Sequence, residues 1–142
     1  MSPERWEELS EDECQALLAE GHLGRLAIVH GDRPIILPVN YVLDGRVVVF
    51  RTDEGSKLDA AVSGAAVAFE VDGISSEHRT GWSVLVQGRA DHVTDRVELE
   101  RLRRLPLVPY APGQKSHYVR IDPEEVTGRR ISVGDMPHEW WG

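Results

Sequence analysis

The sequence predicts a mainly β fold, an antiparallel β-barrel with a few helices at its rim. Strand-like segments outnumber helical ones, most connections between them are hairpin-short, and the alternating β-α-β pattern of a doubly wound parallel sheet is absent. The chain has 142 residues, of which 41% are hydrophobic and 28% are charged. This size and balance favour one domain over residues 1–142, with a core at about 10–131 and a polar C-terminal tail at 132–142.

Caps, turns and apolar periodicity give the order of the elements. Ser10 and Glu13 form a capping box that begins a helix over 11–20. Ser56 caps a second, short helix, and a third runs over about 95–104. The strand segments cover residues 24–30, 34–43, 46–52, 65–72, 82–93 and 116–122, with an extension over 125–131.

Two of the strand segments, 35–42 and 47–50, are apolar on both faces. One face of such a strand fills the interior of the barrel. We expect the other face to be covered by a second subunit, because an exposed apolar sheet face is normally buried against something. The sequence therefore predicts a homodimer.

The charge balance restricts the partners that the protein can have. Sixteen Lys and Arg residues stand against 24 Asp and Glu, which gives a formal net charge of −8 and disfavours nucleic acid and anionic membranes. No apolar run is long enough to span a bilayer, and the single Cys14 excludes an intrachain disulfide. We therefore expect a cytoplasmic protein that acts on a small-molecule substrate.

The common catalytic and metal-binding motifs are missing from the sequence. It has no glycine-rich dinucleotide fingerprint and no P-loop, and Ser83 lacks the second glycine of a nucleophile elbow. The six His residues show neither His-x-x-x-His nor Cys-x-x-Cys spacing, so we expect no metal site. No side chain is assigned as acid or base, and a bound cofactor is expected to supply any chemistry.

One positively charged group of residues does indicate a binding site. Lysine occurs only twice in the chain, and Lys57 begins the short helix just after Arg51 ends a strand. The hydroxyls of Thr52 and Ser56 lie beside them in the sequence. Guanidinium, ammonium and hydroxyl groups at a helix start are typical of a phosphate site. The alternative is that the two cations pair only with neighbouring carboxylates.

Six segments of the chain, taken together in their order and spacing, resemble a known family. They are GHLGRLA over 21–27, PVNY over 38–41, VFRT over 49–52, SKL over 56–58, VAFEVD over 67–72 and WSVLVQGRA over 82–90. They are similar to the pyridoxamine 5′-phosphate oxidase-like, FMN-binding split-barrel proteins, and the resemblance covers roughly residues 10–131. It implies a six-stranded antiparallel split barrel and a homodimer with flavin bound at the subunit interface.

The resemblance also assigns cofactor-binding residues. They are Pro38, Val39, Asn40, Tyr41, Val49, Phe50, Arg51, Thr52, Ser56, Lys57, Trp82 and Ser83. By this likeness Arg51 and Lys57 bind the phosphate with help from the two hydroxyls, the 38–41 segment lines the flavin ring, and Ser83 lies where the oxidases use a Gln. Trp82 at a strand start is also typical of a core or interface residue.

The function implied is that of an FMN-dependent oxidoreductase that transfers hydride through the flavin, with its substrate unassigned. Pyridoxamine phosphate oxidation itself is not expected, because the chain lacks the C-terminal Arg-Leu-x-Pro substrate motif of the oxidases. Two alternatives stay open. One is a reductase that uses the deazaflavin coenzyme F-420; the other is a non-catalytic flavin- or haem-binding protein, with His22, His78 or His117 as haem ligand. Loops over 73–81 and 106–114 are expected to border the substrate pocket.

Overall fold

The computed structural model describes residues 4–107 and 117–133. Within them, seven strands and three helices are present. The strands are β1 (Glu4–Glu8), β2 (Leu23–His30), β3 (Arg33–Asp44), β4 (Val47–Thr52), β5 (Ala65–Ser75), β6 (Thr80–His92) and β7 (His117–Val133), and the helices are α1 (Glu11–Glu20), α2 (Lys57–Ala61) and α3 (Arg96–Leu102).

Six of the strands close into a ring. Their order is β7-β4-β3-β2-β5-β6, and the pairing of β6 with β7 completes the circle, with every neighbouring pair antiparallel. β7 makes this closure possible because it is long: one edge pairs with β6 over most of its length, while the other edge pairs first with β4 and then with β1. The predicted six-stranded antiparallel split barrel is confirmed.

The seventh strand, β1, was not predicted from the sequence. It pairs with the end of β7, from Glu4 opposite Val133 to Glu8 opposite Arg129. Its residues are mostly charged, so no apolar alternation indicates a strand. β7 also joins the two predicted segments at 116–122 and 125–131 into one strand, and residues 132–133 belong to it rather than to a tail. The rest of the predicted tail, 134–142, lies outside the described residues.

Side chains at every second strand position fill the barrel. Val84 and Ala90 of β6 and Phe50 of β4 are completely buried there, and each large side chain so buried contributes roughly 1.5–3 kcal/mol. Gly88 belongs to the same inward row and lies at the register shift between β6 and β7. A Cβ at this position would overlap the carbonyl of Asp122, so the two strands can approach closely only because the residue is glycine.

The helix α1 begins at the cap that the sequence predicts, and it packs against the barrel. The Ser10 hydroxyl accepts a hydrogen bond from the Glu13 N–H, and the Ser10 N–H donates to Glu13 Oε1. The buried Tyr41 hydroxyl of β3 donates to the Leu18 carbonyl at 2.5 Å, which joins the helix end to the sheet. Gly21 follows in an extended conformation, and glycine is required there because a Cβ would overlap the Tyr41 hydroxyl.

The helix α2 lies at one end of the barrel, where the last inward-facing residue of each of three strands is polar. Ser56 caps the helix by accepting a hydrogen bond from the Asp59 N–H, as the sequence predicted, and Val62 at its end is completely buried. Thr52 lies opposite His117 across the β4–β7 pair, and His92 ends the inward row of β6. One end of the barrel is therefore polar inside and covered by α2.

The helix α3 covers the outer face of β4. Val49 is buried there with Leu102 of α3 and Tyr118 of β7. The expectation that a second subunit covers this part of the outer surface is wrong for Val49, because α3 of the same chain does so. On β2 and β3 the outer face stays open, and Val29 and Ile36 are 63% and 67% exposed.

Of the two loops predicted to border a pocket, one is mostly strand and the other lies largely outside the described residues. Most of 73–81 is strand, because β5 and β6 extend to Ser75 and Thr80 and leave only a short turn between them. The turn includes Arg79 with a positive φ of 52°. Most of the proline-rich segment 106–114 lies outside the described residues. Among the described helices, none has the length and apolar character needed to cross a membrane.

Candidate functional site

The predicted phosphate residues lie along the end of β4 and the start of α2. Strand alternation places Arg51 on the outer face with Val49, whereas Thr52 points into the barrel beneath α2. Lys57 is exposed at the first position of α2. The structure therefore brings the two cations to one short segment but separates Arg51 and Thr52 onto opposite faces of the sheet.

Arg51 has the environment of an anion-binding side chain. Its guanidinium carbon lies 5.1 Å from the centroid of the Tyr118 ring, its register partner on β7. Its Nε is buried and has no hydrogen-bond partner, and within the described residues Arg51 forms no salt bridge. A buried donor without an acceptor costs about 1–3 kcal/mol, which an anionic oxygen at this position would offset.

The two hydroxyl groups near Arg51 already have partners. Thr52 Oγ1 donates to Asp59 Oδ1 at 2.7 Å, and Ser56 Oγ accepts from the Asp59 N–H at 3.1 Å. The helix α2 has only five residues, so its dipole adds little. The positive charge of the candidate site thus comes from the side chains of Arg51 and Lys57 rather than from the helix start.

The 38–41 segment alternates across β3. Val39 and Tyr41 point into the barrel and are buried, with Tyr41 edge-on to Phe69 at a centroid distance of 4.9 Å. Burial raises the pKa of the Tyr41 phenol to about 12. Pro38 is exposed, and Asn40 Nδ2 donates to the His22 carbonyl at 3.3 Å. Only the outward residues and the backbone of this segment are accessible to a ligand.

The predicted ring contacts on β4 are both buried. Phe50 fills the barrel interior, and Val49 lies under α3 with Leu102. Neither side chain has a free surface for a flavin ring within one chain. If this strand contacts a ring, the contact must come through its backbone or through Arg51.

The predicted pair on β6 lies in a different part of the molecule. Trp82 is half-buried against the core beside Gly73, where a Cβ would overlap its indole. Ser83 lines an outer cavity of about 660 Å³ with Glu70, and burial next to Asp72 raises the pKa of the Glu70 carboxyl.

This pair is distant from Arg51 along β7. Arg51 lies opposite Tyr118 and Ser83 lies opposite Arg129. The two positions on β7 are separated by eleven residues, or about 36 Å along the strand at roughly 3.3 Å per residue. Within one chain, Arg51 and Ser83 therefore lie on strands that pair with opposite edges of β7, at positions eleven residues apart.

A second cluster was missed by the sequence analysis. The Asp59 carboxylate under α2 accepts hydrogen bonds from His92 Nε2 at 2.7 Å and His117 Nδ1 at 2.9 Å, in addition to Thr52 and the Gly55 N–H. Burial by itself raises the pKa of the Asp59 carboxyl, but hydrogen bonds from Thr52 and the two histidines outweigh it and hold the pKa well below its ordinary value. The three residues are far apart in sequence, so no local spacing predicts them.

The fold agrees with comparisons to known proteins. The family model described as pyridoxamine 5′-phosphate oxidase matches residues 10–130. The chain belongs to the pyridoxamine 5′-phosphate oxidase family. The match extends from the start of α1 nearly to the end of β7, so the family likeness includes the whole barrel.

Three known proteins are similar to the chain over most of its length. Protein Rv0080 of Mycobacterium tuberculosis is 42% identical over 130 residues, covering 87% of this chain and 84% of the relative. The FAD-binding protein of Mycobacterium smegmatis is 39% identical with a TM-score of 0.77, covering 87% of this chain and 96% of that one. An FAD-binding protein of Mesorhizobium loti is 25% identical with a TM-score of 0.70, covering 88% and 97%.

Proposed function

We propose that this chain binds a flavin nucleotide and holds its phosphate with Arg51 and Lys57. The observation that carries the proposal is the state of Arg51, whose buried Nε has no acceptor and whose charge has no carboxylate partner in the described part of the chain. Arginine in this state fits a phosphate oxygen, which accepts charge-assisted hydrogen bonds. Lys57 is exposed and adds a second positive charge five residues after β4 ends.

The identity of the flavin is a finer part of the proposal. The sequence resemblance implied FMN, whereas two similar structures are those of FAD-binding proteins. We favour FAD for this reason. Both nucleotides carry a phosphate on the ribityl chain, so the role given to Arg51 and Lys57 is the same for either one.

The proposed site requires a second copy of the chain. The partners of Arg51 and Ser83 on β7 are eleven residues apart, which is about 36 Å of strand length, so one chain holds the two groups of residues at different parts of this strand. A homodimer could supply Arg51 and Lys57 from one protomer and Trp82 and Ser83 from its partner. The open outer face that carries Val29 and Ile36 offers an apolar surface for this contact.

A bound flavin would supply hydride transfer, which makes the proposed protein an oxidoreductase for a small-molecule substrate. The residues of the chain would bind and orient the nucleotide. Arg51 neutralises the phosphate, and its position over the Tyr118 ring keeps the guanidinium from turning freely. No described side chain is assigned the transfer of a proton.

Two measurements test the proposal: the identity of any small molecule that copurifies with the protein, and the affinity of the flavin-free protein for FMN and FAD. The absorption spectrum of the purified chain and the mass of any released small molecule identify a bound flavin. Titration of the flavin-free protein with FMN and FAD then gives both affinities. The Arg51→Ala/Lys57→Ala variant should bind at least about 100-fold more weakly, because each charged hydrogen bond contributes about 1.5 kcal/mol or more.

A matched control removes the same charge elsewhere. Arg33 and Arg104 are exposed and form no salt bridge within the described residues. The Arg33→Ala/Arg104→Ala variant should keep the affinity of the parent within about twofold. A protein that binds neither nucleotide, or a control that loses as much affinity as the test variant, contradicts the proposal.

The alternatives give different signals in the same samples. Haem binding would produce a Soret band that a single change at His22, His78 or His117 removes. Use of F-420 would appear as consumption of the reduced coenzyme in the presence of an acceptor. A flavin that is bound but is never reduced by any donor would indicate a non-catalytic flavin-binding protein.

The homodimer has its own measurement. Light scattering should give twice the 15.9 kDa mass of one chain, and Ile36→Glu on the open face should shift the protein toward the monomer. A monomer that still binds flavin with full affinity would refute the shared site.

A further inference from the structure

Three metal-ligating side chains converge at the α2 end of the barrel. Asp59 comes from α2, His92 ends β6 and His117 begins β7. One atom from each of the three lies within 4.8 Å of the others. The ligands are thus supplied by three separate elements that the closed barrel holds in place.

The carboxylate at the centre of this cluster is fixed on both oxygens. Thr52 Oγ1 donates to Asp59 Oδ1 at 2.7 Å, and the Gly55 N–H donates to Oδ2 at 3.0 Å. These contacts leave the carboxylate little freedom to rotate, and they orient it toward the two imidazoles. Partners of this kind commonly position metal ligands in proteins.

From this arrangement we propose that Asp59, His92 and His117 form a binding site for a divalent first-row transition metal ion. Two imidazole nitrogens and one carboxylate oxygen form a donor set that suits Zn²⁺, Fe²⁺ and Co²⁺ rather than Mg²⁺ or Ca²⁺. Without metal, each histidine donates an N–H to the carboxylate. With metal, each neutral imidazole binds through that nitrogen and carries its proton on the other one.

The surroundings of the cluster offer a carboxylate for the displaced imidazole proton and space for further metal ligands. His117 Nε2, which would carry the proton, lies 4.0 Å from Glu54 Oε1. In front of the cluster is a cavity of about 410 Å³ whose lining includes Ser63, Asp91 and Thr94. Three protein ligands and an adjoining polar cavity leave coordination positions for water or a small ligand, as in open metal sites.

This site is separate from the proposed flavin site. Arg51 lies on the outer face of β4, whereas Thr52 and the cluster lie on the inner face. The metal proposal therefore does not depend on flavin binding. Each can fail without the other, and the two experiments use different ligands and different variants.

The test is a titration of the untagged, EDTA-treated protein with Co²⁺, in which the visible d–d absorption of the bound Co²⁺ reports binding. We expect one Co²⁺ per chain, displacement by Zn²⁺ and no displacement by a 100-fold excess of Mg²⁺. His92→Ala and His117→Ala should each weaken Co²⁺ binding at least about 100-fold. Thr52→Val, which removes only a partner of the carboxylate, should weaken it by about 10–100-fold.

Two further histidines provide the controls. His30 and His78 are exposed and lie outside the cluster, so His30→Ala and His78→Ala should bind Co²⁺ as the parent does. Asp59→Asn keeps the size of the ligand residue and provides a variant that tests the carboxylate if an alanine variant fails to fold, as judged by circular dichroism in EDTA. Absence of Co²⁺ binding, or binding that survives in both folded cluster variants, overturns the proposal.

Discussion

The two faces of β4 carry polar groups in opposite states. On the outer face Arg51 has a buried donor without an acceptor and no ion-pair partner among the described residues. On the inner face, one residue later, Thr52 belongs to a cluster in which the Asp59 carboxylate accepts four hydrogen bonds. The comparison shows that one strand, through its alternation alone, can present an unsatisfied site and a satisfied one.

The difference has a physical consequence for stability. An unsatisfied buried donor costs free energy in the unliganded protein, whereas a satisfied cluster contributes to folding. Removing Arg51 should therefore affect flavin binding more than stability, and removing Asp59 should affect stability more than flavin binding. Three substitutions test this contrast, beginning with the one of largest expected effect.

Asp59→Ala should destabilise the protein by about 3 kcal/mol, because Thr52, the Gly55 N–H and two imidazoles lose their acceptor in a buried place. Urea unfolding in EDTA measures the loss without any contribution from metal. Asp32→Ala in the exposed turn before β3 is the control and should change stability by less than about 0.5 kcal/mol. Equal effects of the two changes would show that the cluster contributes nothing.

Tyr41 adds a second satisfied inward group, at the α1 side of the barrel. Tyr41→Phe loses the hydrogen bond to the Leu18 carbonyl and should cost about 1 kcal/mol. Because the folded-state pKa is raised to about 12, above the unfolded value near 10, the phenol's contribution is complete below about pH 10 and is lost as pH rises toward 12.

The measurement for Tyr41 is unfolding as a function of pH. Urea midpoints between pH 9 and 12 should fall more steeply for the parent than for Tyr41→Phe. Phenolate absorbance of the parent should contain a late-ionising component that is absent from Tyr41→Phe. Parallel pH profiles of the two proteins would contradict the assignment.

Arg51→Leu should have the smallest effect on folding. Removing the partnerless Nε–H relieves a desolvation cost, while loss of the contact with the Tyr118 ring removes about 0.5–1 kcal/mol, so stability should stay within about 0.5 kcal/mol of the parent or rise. Thermal unfolding without flavin measures this. A loss above about 1.5 kcal/mol would mean that Arg51 supports the fold.

Much of the fold could be predicted because local signals agree with the tertiary structure. The capping box at Ser10 and Glu13 begins α1 where expected, and apolar segments bounded by turn residues mark the six strands of the ring. β1 was missed because its strand conformation depends on pairing with β7 and not on its own charged residues. Burial of Val49 was assigned to a second subunit because the sequence does not show that α3 packs on the outer face of β4.

The candidate sites could be predicted only where their residues are neighbours in sequence. Arg51 and Lys57 flank a single turn, so their proximity follows from chain connectivity. Asp59 is 33 residues from His92 and 58 from His117, and only closure of the barrel brings them together. One signal was available: each of the two histidines continues the every-second-residue inward row of its strand.

The length of β7 determines when the molecule can fold during synthesis. Residues 117–133 supply the pairing edge for β4, for β6 and for β1, and they follow all three in the chain. Until this strand leaves the ribosome, the preceding segments can form only an open sheet with two unpaired edges, which invites intermolecular pairing. Closure joins distant parts of the chain in a late, non-local step, which is typical of slow folding.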